Sequence, residues 1–488
     1  MDAQDGVYKM IDELVARLGR EIVLTGEATL PYCRDWHGDV QSEAVAVLRP
    51  STTGQVQECV RAVRDLRLQI VPQGGNTGLV LGALPDPTGR QVVLSLERMT
   101  AIRRFLPEDF AIEVEAGAIL SDIKDAAAAE GLFFPLTLGA QGSCRIGGNV
   151  STNAGGVNVL RYGMMRELVL GLEVVLPDGS LLEGLSLLRK DNRGIDLKQL
   201  FIGAEGTLGI ITAVSLKLLP APKHVATALV ALPGLAEAIT LYRQARRDCC
   251  DLMSAFEFMP PIAFTLAREA MPALKLPMAT KHPAYALIEI SGSGLVDVGV
   301  LMEQFLAGAF ESGIATDGVV AQSQAQAESL WAIREGMNLG QAARGRHLRT
   351  DISVPLSQLG DFVRDAEHAI ENALPGAVCV SYGHVGDGNV HLNVLPDQTG
   401  DIDAQLTKAK ATIDSVLDRF GGSFSAEHGI GRLKRDAFEA YVPKAQRRLL
   451  MAIRQAIDPD GIMNPGCQVV PDRVQDYGRQ PQAPAASV

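Results

Sequence analysis

The sequence has no long hydrophobic run, no CxxC pair and no excess of positive charge. The most apolar stretch, 167–176, is interrupted by Gly171 and Glu173, so nothing approaches the roughly 18 uninterrupted apolar residues of a membrane-spanning helix. The 45 basic residues against 57 acidic ones give a formal net charge of −12, which would repel a phosphate backbone. We therefore expect no transmembrane segment and no nucleic-acid partner.

Targeting signals are missing as well. Residues 1–19 alternate acidic with apolar side chains and show neither the hydrophobic stretch of a signal peptide nor the arginine-rich character of a transit peptide. The seven cysteines are odd in number and scattered, which favours free thiols in a reducing compartment. Both observations predict a cytoplasmic protein.

The composition is that of a globular protein with several domains. The 488 residues are 47% hydrophobic and 21% charged, and at roughly 100–200 residues per domain they predict two to four domains. A rigid Pro220-Ala221-Pro222 break ends a glycine-dense region. The predicted division is an N-terminal helical segment (1–40), a first domain (41–220), a second domain (221–430), a C-terminal segment (431–471) and a disordered tail (472–488).

The hydrophobic spacing mixes helical and strand periods, which predicts an α+β fold. Short β-rich runs separated by glycine turns fill 44–220, and Pro177-Asp178-Gly179 is typical of a hairpin turn. One predicted helix has Ser121 placed as its cap and Gly131 as its stop. After Gly422 a short strand is predicted to lead into Glu427. Helices are predicted over 5–20, 121–130, 408–420 and 444–457.

Three glycine-rich segments indicate a close approach of the backbone to a ligand. Residues 74–78 follow a predicted strand, and successive amides in such a turn form a concave anion site. Residues 147–156 hold four glycines, two asparagines and two hydroxyls, which suits contact with a flat polar ligand better than a core element. In 201–212 glycines again stand where a turn meets a strand. A structural or mobile loop is the alternative. The first and third segments lack the GxGxxG order, so the nicotinamide Rossmann fingerprint is absent.

The sharpest motif is His384-Val-Gly-Asp-Gly-Asn-Val-His391, with Glu427-His428 downstream. The turn can fold the two imidazoles toward one point, and a carboxylate from the second segment completes a set of two histidines and one acid. Such a set, with positions left open, suits zinc, manganese or iron(II). Neighbouring side chains in an extended segment point apart, so one of Glu427 and His428 can bind metal while the other faces a substrate. Hydrogen-bonded core histidines are the alternative.

Two arginines are candidates for binding an acidic substrate. Arg334 and Asn338 are four residues apart on one face of a predicted helix, and Arg349 follows. A guanidinium group grips a carboxylate bidentately. Each arginine taken alone is more often a solvated charge or part of a structural ion pair.

In this order, the segments closely resemble the FAD-dependent D-2-hydroxyacid dehydrogenases of the vanillyl-alcohol-oxidase flavoprotein superfamily, from about Trp36 to Gly466. The runs 142–149, 188–192 and 196–203 are most similar to the branch that oxidises D-2-hydroxyglutarate. The resemblance implies a two-subdomain FAD-binding domain of the p-cresol methylhydroxylase (PCMH) type at 41–220. It also implies an α+β cap domain with an antiparallel sheet for the substrate, and a C-terminal segment that returns to the FAD domain.

The resemblance further implies where FAD would lie. Residues 74–78 would hold the pyrophosphate, 139–156 would line the flavin, and 205–211 with Asn464 would complete the site. No histidine lies between His37 and His224, so attachment from that domain is impossible and noncovalent FAD is expected. The predicted FAD-binding residues are Pro72, Gly74, Gly75, Asn76, Thr77, Gly78, Leu138, Gly139, Ser143, Gly147, Gly148, Asn149, Thr152, Asn153, Gly155, Glu205, Gly209, Ile211 and Asn464.

For the reaction, the resemblance implies that His384, His391 and Glu427 bind a divalent metal, zinc or manganese, which coordinates the substrate's carboxylate and C2 hydroxyl. His428 would take the hydroxyl proton as general base while the C2 hydride passes to flavin N5, which yields a 2-oxoacid. Asn393 would donate a hydrogen bond to the substrate.

Substrate preference follows from three positions at which the family's dicarboxylate enzymes carry Arg, Thr and Lys. Here Arg334 keeps the first, Asn338 stands where Thr is expected and Arg349 replaces Lys. The charge is retained and the hydroxyl is not, so D-2-hydroxyglutarate or a similar dicarboxylate is expected, with malate or longer 2-hydroxyacids open.

Two other functions stay open. One is a D-lactate- or glycolate-type monocarboxylate dehydrogenase, and the other is a noncatalytic flavin-fold subunit, against which the complete set of His384, His391, Glu427 and His428 counts. The expected electron acceptor is a soluble one such as electron-transferring flavoprotein, or a quinone. The sequence does not fix the oligomeric state, and a homodimer is one option.

Overall fold

The computed structural model describes residues 3–278 and 282–468. The predicted tail, 472–488, and the last residues of the predicted C-terminal segment lie outside the described residues. No helix in the described ranges combines the length and hydrophobicity needed to cross a bilayer. The domain boundaries at 40, 220 and 430 stay predictions.

The first sheet has four strands with two helices beside them. Its elements are α1 (Ala3–Leu18), β1 (Val23–Leu24), β2 (Val47–Leu48), α2 (Thr53–Asp65), β3 (Gln69–Gln73) and β4 (Gln91–Ser95). In the order β1-β2-β4-β3, strands β2 and β3 run parallel to β4, and β1 pairs antiparallel with β2. Thr52 caps α2 by accepting the N–H of Gln55 at 3.2 Å. Since β3 ends at Gln73, the first glycine segment begins at the carboxyl end of a parallel strand.

The second sheet is antiparallel, in the order β5-β6-β10-β8-β9. The hairpin turn predicted at Pro177-Asp178-Gly179 joins β8 to β9, and the Asp178 carboxylate accepts the N–H of Ser180 at 2.8 Å. The elements of this region are β5 (Ile102–Leu106), β6 (Ala111–Glu115), α3 (Leu120–Ala129), β7 (Leu132–Phe133), α4 (Ile146–Ser151), α5 (Val159–Tyr162), α6 (Met165–Leu168), β8 (Val169–Val175), β9 (Leu181–Gly184), α7 (Lys198–Phe201), β10 (Ile210–Lys217) and β11 (Leu219–Pro220).

The predicted cap of α3 is wrong, whereas its predicted stop is correct. The helix begins at Leu120 after Ile119, no side chain caps it, and Ser121 falls inside the first turn. A capping side chain must stand before the first helical residue to reach the free N–H groups, so a start one residue earlier removes that role. Gly131 follows the helix with φ +69°, the left-handed conformation that favours glycine at a helix end.

The third sheet has seven antiparallel strands in the order β15-β12-β14-β13-β17-β18-β16. Helices cover both of its faces, so β13 and β14 are buried along almost their whole length. Its elements are β12 (His224–Leu232), α8 (Leu235–Asp248), β13 (Met253–Met259), α9 (Ile262–Ala270), β14 (Ala284–Gly292), α10 (Val298–Glu311), β15 (Asp317–Val320), α11 (Gln324–Ala343), β16 (Ile352–Ser353), α12 (Leu359–Ala373), β17 (Val378–His384), β18 (Asn389–Leu395) and α13 (Ile402–Phe420).

Alternate residues of each strand face opposite sides of this sheet, so its hydrophobic core is divided into two parts. Along β12, Ala228 and Val230 face the helices α8, α10, α12 and α13, while Leu229 and Ala231 face α9 and α11. The core of the first two sheets is a separate cluster that runs from Leu14 to Leu218 and also includes Ile462 and Met463. Among the described residues, the hydrophobic contacts therefore form one core on the glycine-rich side and two on the side of the seven-stranded sheet.

The chain after the third sheet returns to the first. Helices α14 (Arg435–Tyr441) and α15 (Lys444–Ile457) lead to a parallel bridge between Met463 and Ile70 of β3. Ile70 donates its N–H to Ile462 O at 2.8 Å and accepts the N–H of Asn464 at 2.7 Å. The strand predicted after Gly422 is wrong: only a single bridge at Ser423 forms, and the rest of 424–431 is irregular.

Candidate active site

The two motif histidines lie on one β-hairpin and on one face of it. His384 is the last residue of β17, and His391 of β18 stands opposite Tyr382. Because side chains alternate along a strand, Tyr382, His384 and His391 share a face. The turn needs glycine at position 388, where φ is +75° and a side chain would collide with the Val354 carbonyl. The ring centroids of His384 and His391 are 6.0 Å apart.

Glu427 joins these histidines from the irregular loop after α13. One ligand atom from each of His384, His391 and Glu427 lies within 4.8 Å of the other two, and all three side chains are at least half-buried. Two imidazole nitrogens and one carboxylate oxygen at this spacing fit a divalent transition metal with open positions. The structure brings together the three predicted ligands, while the metal itself stays a prediction.

Each histidine is oriented through its Nδ1 atom. His391 Nδ1 donates to the Thr350 carbonyl at 3.1 Å, and His384 Nδ1 bonds a carboxylate oxygen of Glu257. This leaves Nε2 of each ring for a ligand, which is the usual arrangement in metal sites. Burial lowers the pKa of His391 to about 3, so that ring stays neutral and able to coordinate.

Glu257 was not found from the sequence. It is fully buried on β13, opposite His384, and its second oxygen accepts from Arg334 Nε at 2.8 Å. Burial alone would raise the pKa of Glu257, but His384 and Arg334 outweigh it and lower the pKa to about 2. Burial likewise opposes charge on His384, yet Glu257 raises the pKa of that ring to about 9. A lone acid in the apolar strand Met253–Met259 was the available signal, because buried charges are nearly always paired.

His428 lies beside the three ligands and faces a different carboxylate. Its Nδ1 is 3.5 Å from Asp351 Oδ2, and its ring stacks with that of His391 at 6.2 Å between centroids. Burial lowers the pKa of His428, while the negative charge of Asp351 acts in the opposite direction. A neutral imidazole of this kind can accept a proton, which fits the predicted general base.

The glycine segment 74–78 has the open backbone donors that a phosphate requires. Within the described part of the chain, the N–H groups of residues 75–78 donate to no protein acceptor. Gly75 has no room for a side chain against the Ser143 carbonyl, so the segment lies directly on the second predicted FAD segment. The buried Asn149 Oδ1 also has no hydrogen-bond partner among the described residues. Free donors and an unpartnered acceptor on two neighbouring segments fit a dinucleotide such as FAD.

Some predicted FAD residues use their side chains to hold the loops together. Glu205 accepts the N–H groups of Ile430 at 2.8 Å and Gly431 at 2.7 Å. Asn464 donates to the carbonyls of Glu205 and Gly82 at 2.8 and 2.9 Å. The Thr152 hydroxyl donates to the backbone carbonyl of Gly148, and the side-chain Oδ1 of Asn153 accepts the backbone N–H of Arg166. The FAD contacts of these four side chains stay predictions.

The remaining predicted FAD residues differ in burial and in the groups they contact. Gly155 lies directly against the Glu427 carboxylate, and Gly147 packs on Ala116. Ile211 is buried as the second residue of β10, the strand that begins directly after Gly209. Pro72, Gly74, Asn76, Thr77, Gly78, Leu138, Gly139, Ser143 and Gly148 are half-buried or exposed.

The four predicted substrate residues differ in burial and in the hydrogen bonds they make within the protein. Arg334 is buried, paired with Glu257, with its guanidinium carbon 4.5 Å from the Tyr382 ring centre. Asn393 is buried and bonds Thr350 N, Gln341 and Tyr382. Asn338 and Arg349 are exposed, and the Arg349 Nε donates to His347 at 3.2 Å. Asn393 thus has its amide fully engaged by protein groups, and its role as a donor to substrate stays a prediction.

Comparisons with protein-family models and solved structures show which proteins share this fold. Residues 44–184 match the model of the FAD binding domain, and residues 221–467 match that of the C-terminal domain of FAD linked oxidases. p-Cresol methylhydroxylase with bound substrate superposes with a TM-score of 0.77 at 18% identity, covering 96% of this chain and 98% of that one. The predicted α+β fold class with a PCMH-type FAD-binding domain and a cap is confirmed.

Proteins similar in sequence show to which family of FAD-linked enzymes the chain belongs. The mitochondrial D-2-hydroxyglutarate dehydrogenase of Bos taurus is 39% identical over 452 residues, which cover 91% of this chain and 80% of that protein. The D-2-hydroxyglutarate dehydrogenase of Xanthomonas citri pv. viticola is 37% identical over 440 residues, covering 89% of this chain and 91% of that protein. The chain belongs to the family of FAD-dependent D-2-hydroxyacid dehydrogenases. It is thus an enzyme that uses FAD, while the zinc and the cytoplasmic location stay predictions.

Proposed function

We propose that the protein oxidises D-2-hydroxyglutarate, or a similar dicarboxylic D-2-hydroxyacid, to the 2-oxoacid with noncovalent FAD and a divalent metal, zinc or manganese. The observation that carries this proposal is the convergence of His384, His391 and Glu427 within 4.8 Å, with His428 stacked on His391. The names of the relatives support the substrate.

The chain's own groups divide the work in this scheme. His384, His391 and Glu427 would hold the metal, and residues 74–78 and 147–156 would hold FAD. When bound, the metal supplies Lewis-acid chemistry toward the hydroxyacid, and FAD supplies N5 as the hydride acceptor. The remaining tasks, binding the carboxylates and moving the hydroxyl proton, belong to side chains.

His428 is the group that takes the proton. Its Nδ1 faces Asp351, so Nε2 is the atom available to the substrate hydroxyl. Burial keeps the free ring neutral at the start of the reaction by lowering its pKa. The Asp351 carboxylate then stabilises the imidazolium that forms, in the way a buried acid supports a catalytic histidine.

Arg349 is the residue we assign to the distal carboxylate. Arg334 already has a buried carboxylate partner, whereas the Arg349 guanidinium is exposed and bonds only a neutral acceptor, His347, among the contacts described. A guanidinium group that has no carboxylate partner in the protein can bind a substrate carboxylate through two parallel hydrogen bonds.

A substrate panel tests the proposal. Purified enzyme is mixed anaerobically with D-2-hydroxyglutarate, D-malate and D-lactate, and loss of the flavin absorbance is followed with metal analysis of the same sample. We expect the fastest reduction with a dicarboxylate, its loss after chelation and its return with zinc or manganese. Equal reduction before and after complete metal removal would contradict the metal-dependent scheme.

The second candidate is a monocarboxylate dehydrogenase of the D-lactate or glycolate type. It is favoured by one observation: Asn338, which stands where a hydroxyl is expected, is exposed and bonds Gln341 at 3.5 Å. Faster flavin reduction by D-lactate than by both dicarboxylates would select it.

The electron acceptor and the assembly are part of the same proposal. We infer a soluble acceptor such as electron-transferring flavoprotein, or a quinone, and keep a homodimer as the option for assembly. Re-oxidation of the reduced enzyme by purified electron-transferring flavoprotein against a water-soluble quinone separates the two acceptors, and light scattering gives the assembly.

A further inference from the structure

Asp351 is a buried carboxylate to which the reaction scheme gives only a supporting contact. It is 1% exposed and directly precedes β16, the edge strand that pairs with β18 of the histidine hairpin. On its other side runs the irregular loop that carries Glu427, tied to β16 by two backbone hydrogen bonds between Ser353 and Ser423 at 2.7 and 3.0 Å. Asp351 therefore stands between the hairpin and the loop.

The carboxylate of Asp351 joins these two parts. Its Oδ2 atom accepts the backbone N–H groups of Glu427 at 2.9 Å and His428 at 2.8 Å. Its Oδ1 atom accepts from the side-chain amide of Asn389, the first residue of β18, at 2.9 Å. Lys434 Nζ, 3.9 Å from Oδ2, supplies a compensating positive charge. Hydrogen bonds to an ionised acceptor are stronger than neutral ones, so this junction is well defined.

Thr350, the residue before Asp351, contacts a third residue of the candidate site, His391. The Thr350 carbonyl accepts Nδ1 of His391, and the Thr350 hydroxyl accepts the N–H of Leu392 and donates to its carbonyl, each at 2.9 Å. Residues 350 and 351 thus contact His391, Glu427 and His428. Backbone bonds hold the loop at Ser423 and at Ala426, whose N–H donates to the Asp351 carbonyl at 3.1 Å, and the Asp351 side chain adds the bonds to the next two residues, Glu427 and His428.

We propose that Asp351 is a positioning residue that fixes the loop carrying Glu427 and His428 against the His384–His391 hairpin. The proposal rests on the metal centre and the base of the proposed function, and it adds the group that holds them in place. Because Asp351 bonds the backbone of the loop, its loss releases both residues together rather than either one alone.

A purely structural role is the competing explanation, and the chain supplies a matched control for it. Asp458 is 3% exposed and also accepts two consecutive backbone N–H groups, those of Ile462 at 3.1 Å and Met463 at 2.8 Å. It lies on the C-terminal return, away from the hairpin. Asp458→Asn therefore removes the same kind of contact at a different place.

The first test measures amide hydrogen exchange in the full chain with FAD bound. In Asp351→Asn we expect peptides from 423–431 to exchange at least about tenfold faster, while peptides from β3, β4 and β13 keep the wild-type rate. Asp458→Asn should instead accelerate exchange near 462–463. Unchanged exchange of 423–431, or equal acceleration throughout the chain, would overturn the proposal.

Asn389→Ala is the second variant, for use if Asp351→Asn fails to fold. It removes only the link from Asp351 to β18 and leaves the two backbone bonds to the loop. We expect a smaller increase in exchange confined to the same peptides, and no increase there would overturn the proposal.

The second test follows zinc release from loaded protein to a chromogenic chelator. Asp351→Asn should lose zinc about 10–100-fold faster than wild type, and Asp458→Asn at the wild-type rate. Equal release from all three proteins would refute the positioning role. If the wild type binds neither zinc nor manganese, the proposed metal centre fails, and the exchange experiment still decides the role of Asp351.

Discussion

The Glu427 carboxylate accepts a hydrogen bond from the backbone N–H of Gly156 at 2.8 Å. One partner belongs to the candidate metal site and the other to the glycine segment predicted to line the flavin. The preceding Gly155 has no side chain at the point where one would collide with the same carboxylate oxygen. The two candidate cofactor sites therefore meet at a contact where an added side chain would push the Glu427 carboxylate aside.

Gly155→Ala should displace Glu427 and weaken metal binding. Because the alanine methyl would overlap the carboxylate oxygen, we expect about tenfold or greater loss of metal affinity, with a smaller loss of FAD. Metal content and flavin absorbance of one preparation measure both. Gly194→Ala, where a side chain would meet open space, is the control, and unchanged metal content in Gly155→Ala would argue against the contact.

His428→Asn should slow flavin reduction by substrate about 10²–10⁴-fold, the usual contribution of a general base. The yellow colour of bound FAD should remain, because the residue is not among those predicted to hold the cofactor. Rapid-mixing measurement of the flavin absorbance gives the rate. Near-normal reduction would exclude His428 as the base.

Arg349→Ala should impair a dicarboxylate substrate selectively. A hydrogen-bonded charge pair contributes about 1.5–3 kcal/mol, so kcat/KM for the dicarboxylate should fall roughly 10–150-fold while that for D-lactate changes little. Arg346→Ala is a matched control, since Arg346 is exposed and already paired with Asp403 at 2.7 Å. Equal losses on both substrates would remove Arg349 from the distal site.

The stability of metal-free protein should depend on pH through His384 and Glu257. Glu257 raises the pKa of His384 from 6.5 to about 9, so the stabilisation is complete below 6.5 and is lost as the pH rises through 9. The pKa of Glu257 is lowered from 4.5 to about 2, so its contribution holds above 4.5 and is lost as the pH falls toward 2. The thermal unfolding midpoint should fall between pH 6.5 and 9.

Glu257→Gln tests the origin of this pH dependence. It leaves Arg334 and His384 buried without their counter-charge, which should destabilise the protein by about 3–5 kcal/mol at neutral pH. Most of the fall in the unfolding midpoint above pH 6.5 should disappear. Glu371→Gln removes an exposed partner 4.0 Å from His368 and should change neither quantity. A wild-type pH profile in Glu257→Gln would contradict the assignment.

The parts of the site that the sequence predicts are those whose residues lie within a few positions of one another along the chain. His384 and His391 are seven residues apart around a Gly-Asp-Gly-Asn turn, so hairpin geometry alone brings them to one face. The 74–78 segment is likewise a local turn after a strand. Ser121 failed as a cap because helix boundaries shift by a residue or two under tertiary packing.

The parts that sequence does not predict depend on pairing between distant segments. Glu257 meets His384 only because β13 and β17 are neighbours in the sheet across 127 residues of chain. Asp351 similarly meets the Glu427 N–H across 76 residues. No local pattern indicates such pairs, because several strand orders would bury the same apolar residues.

Sequence by itself predicted the two-histidine hairpin, because its residues lie within one short motif, and it indicated the cofactor class and the acidic partner Glu427 through the order of motifs that the family shares. Tertiary structure decided which charges those motifs face: Glu257 against His384 and Arg334, and Asp351 against the loop that carries His428. The physical reason is that a buried charge is stable only beside its counter-charge, and sheet order rather than sequence distance places the two together.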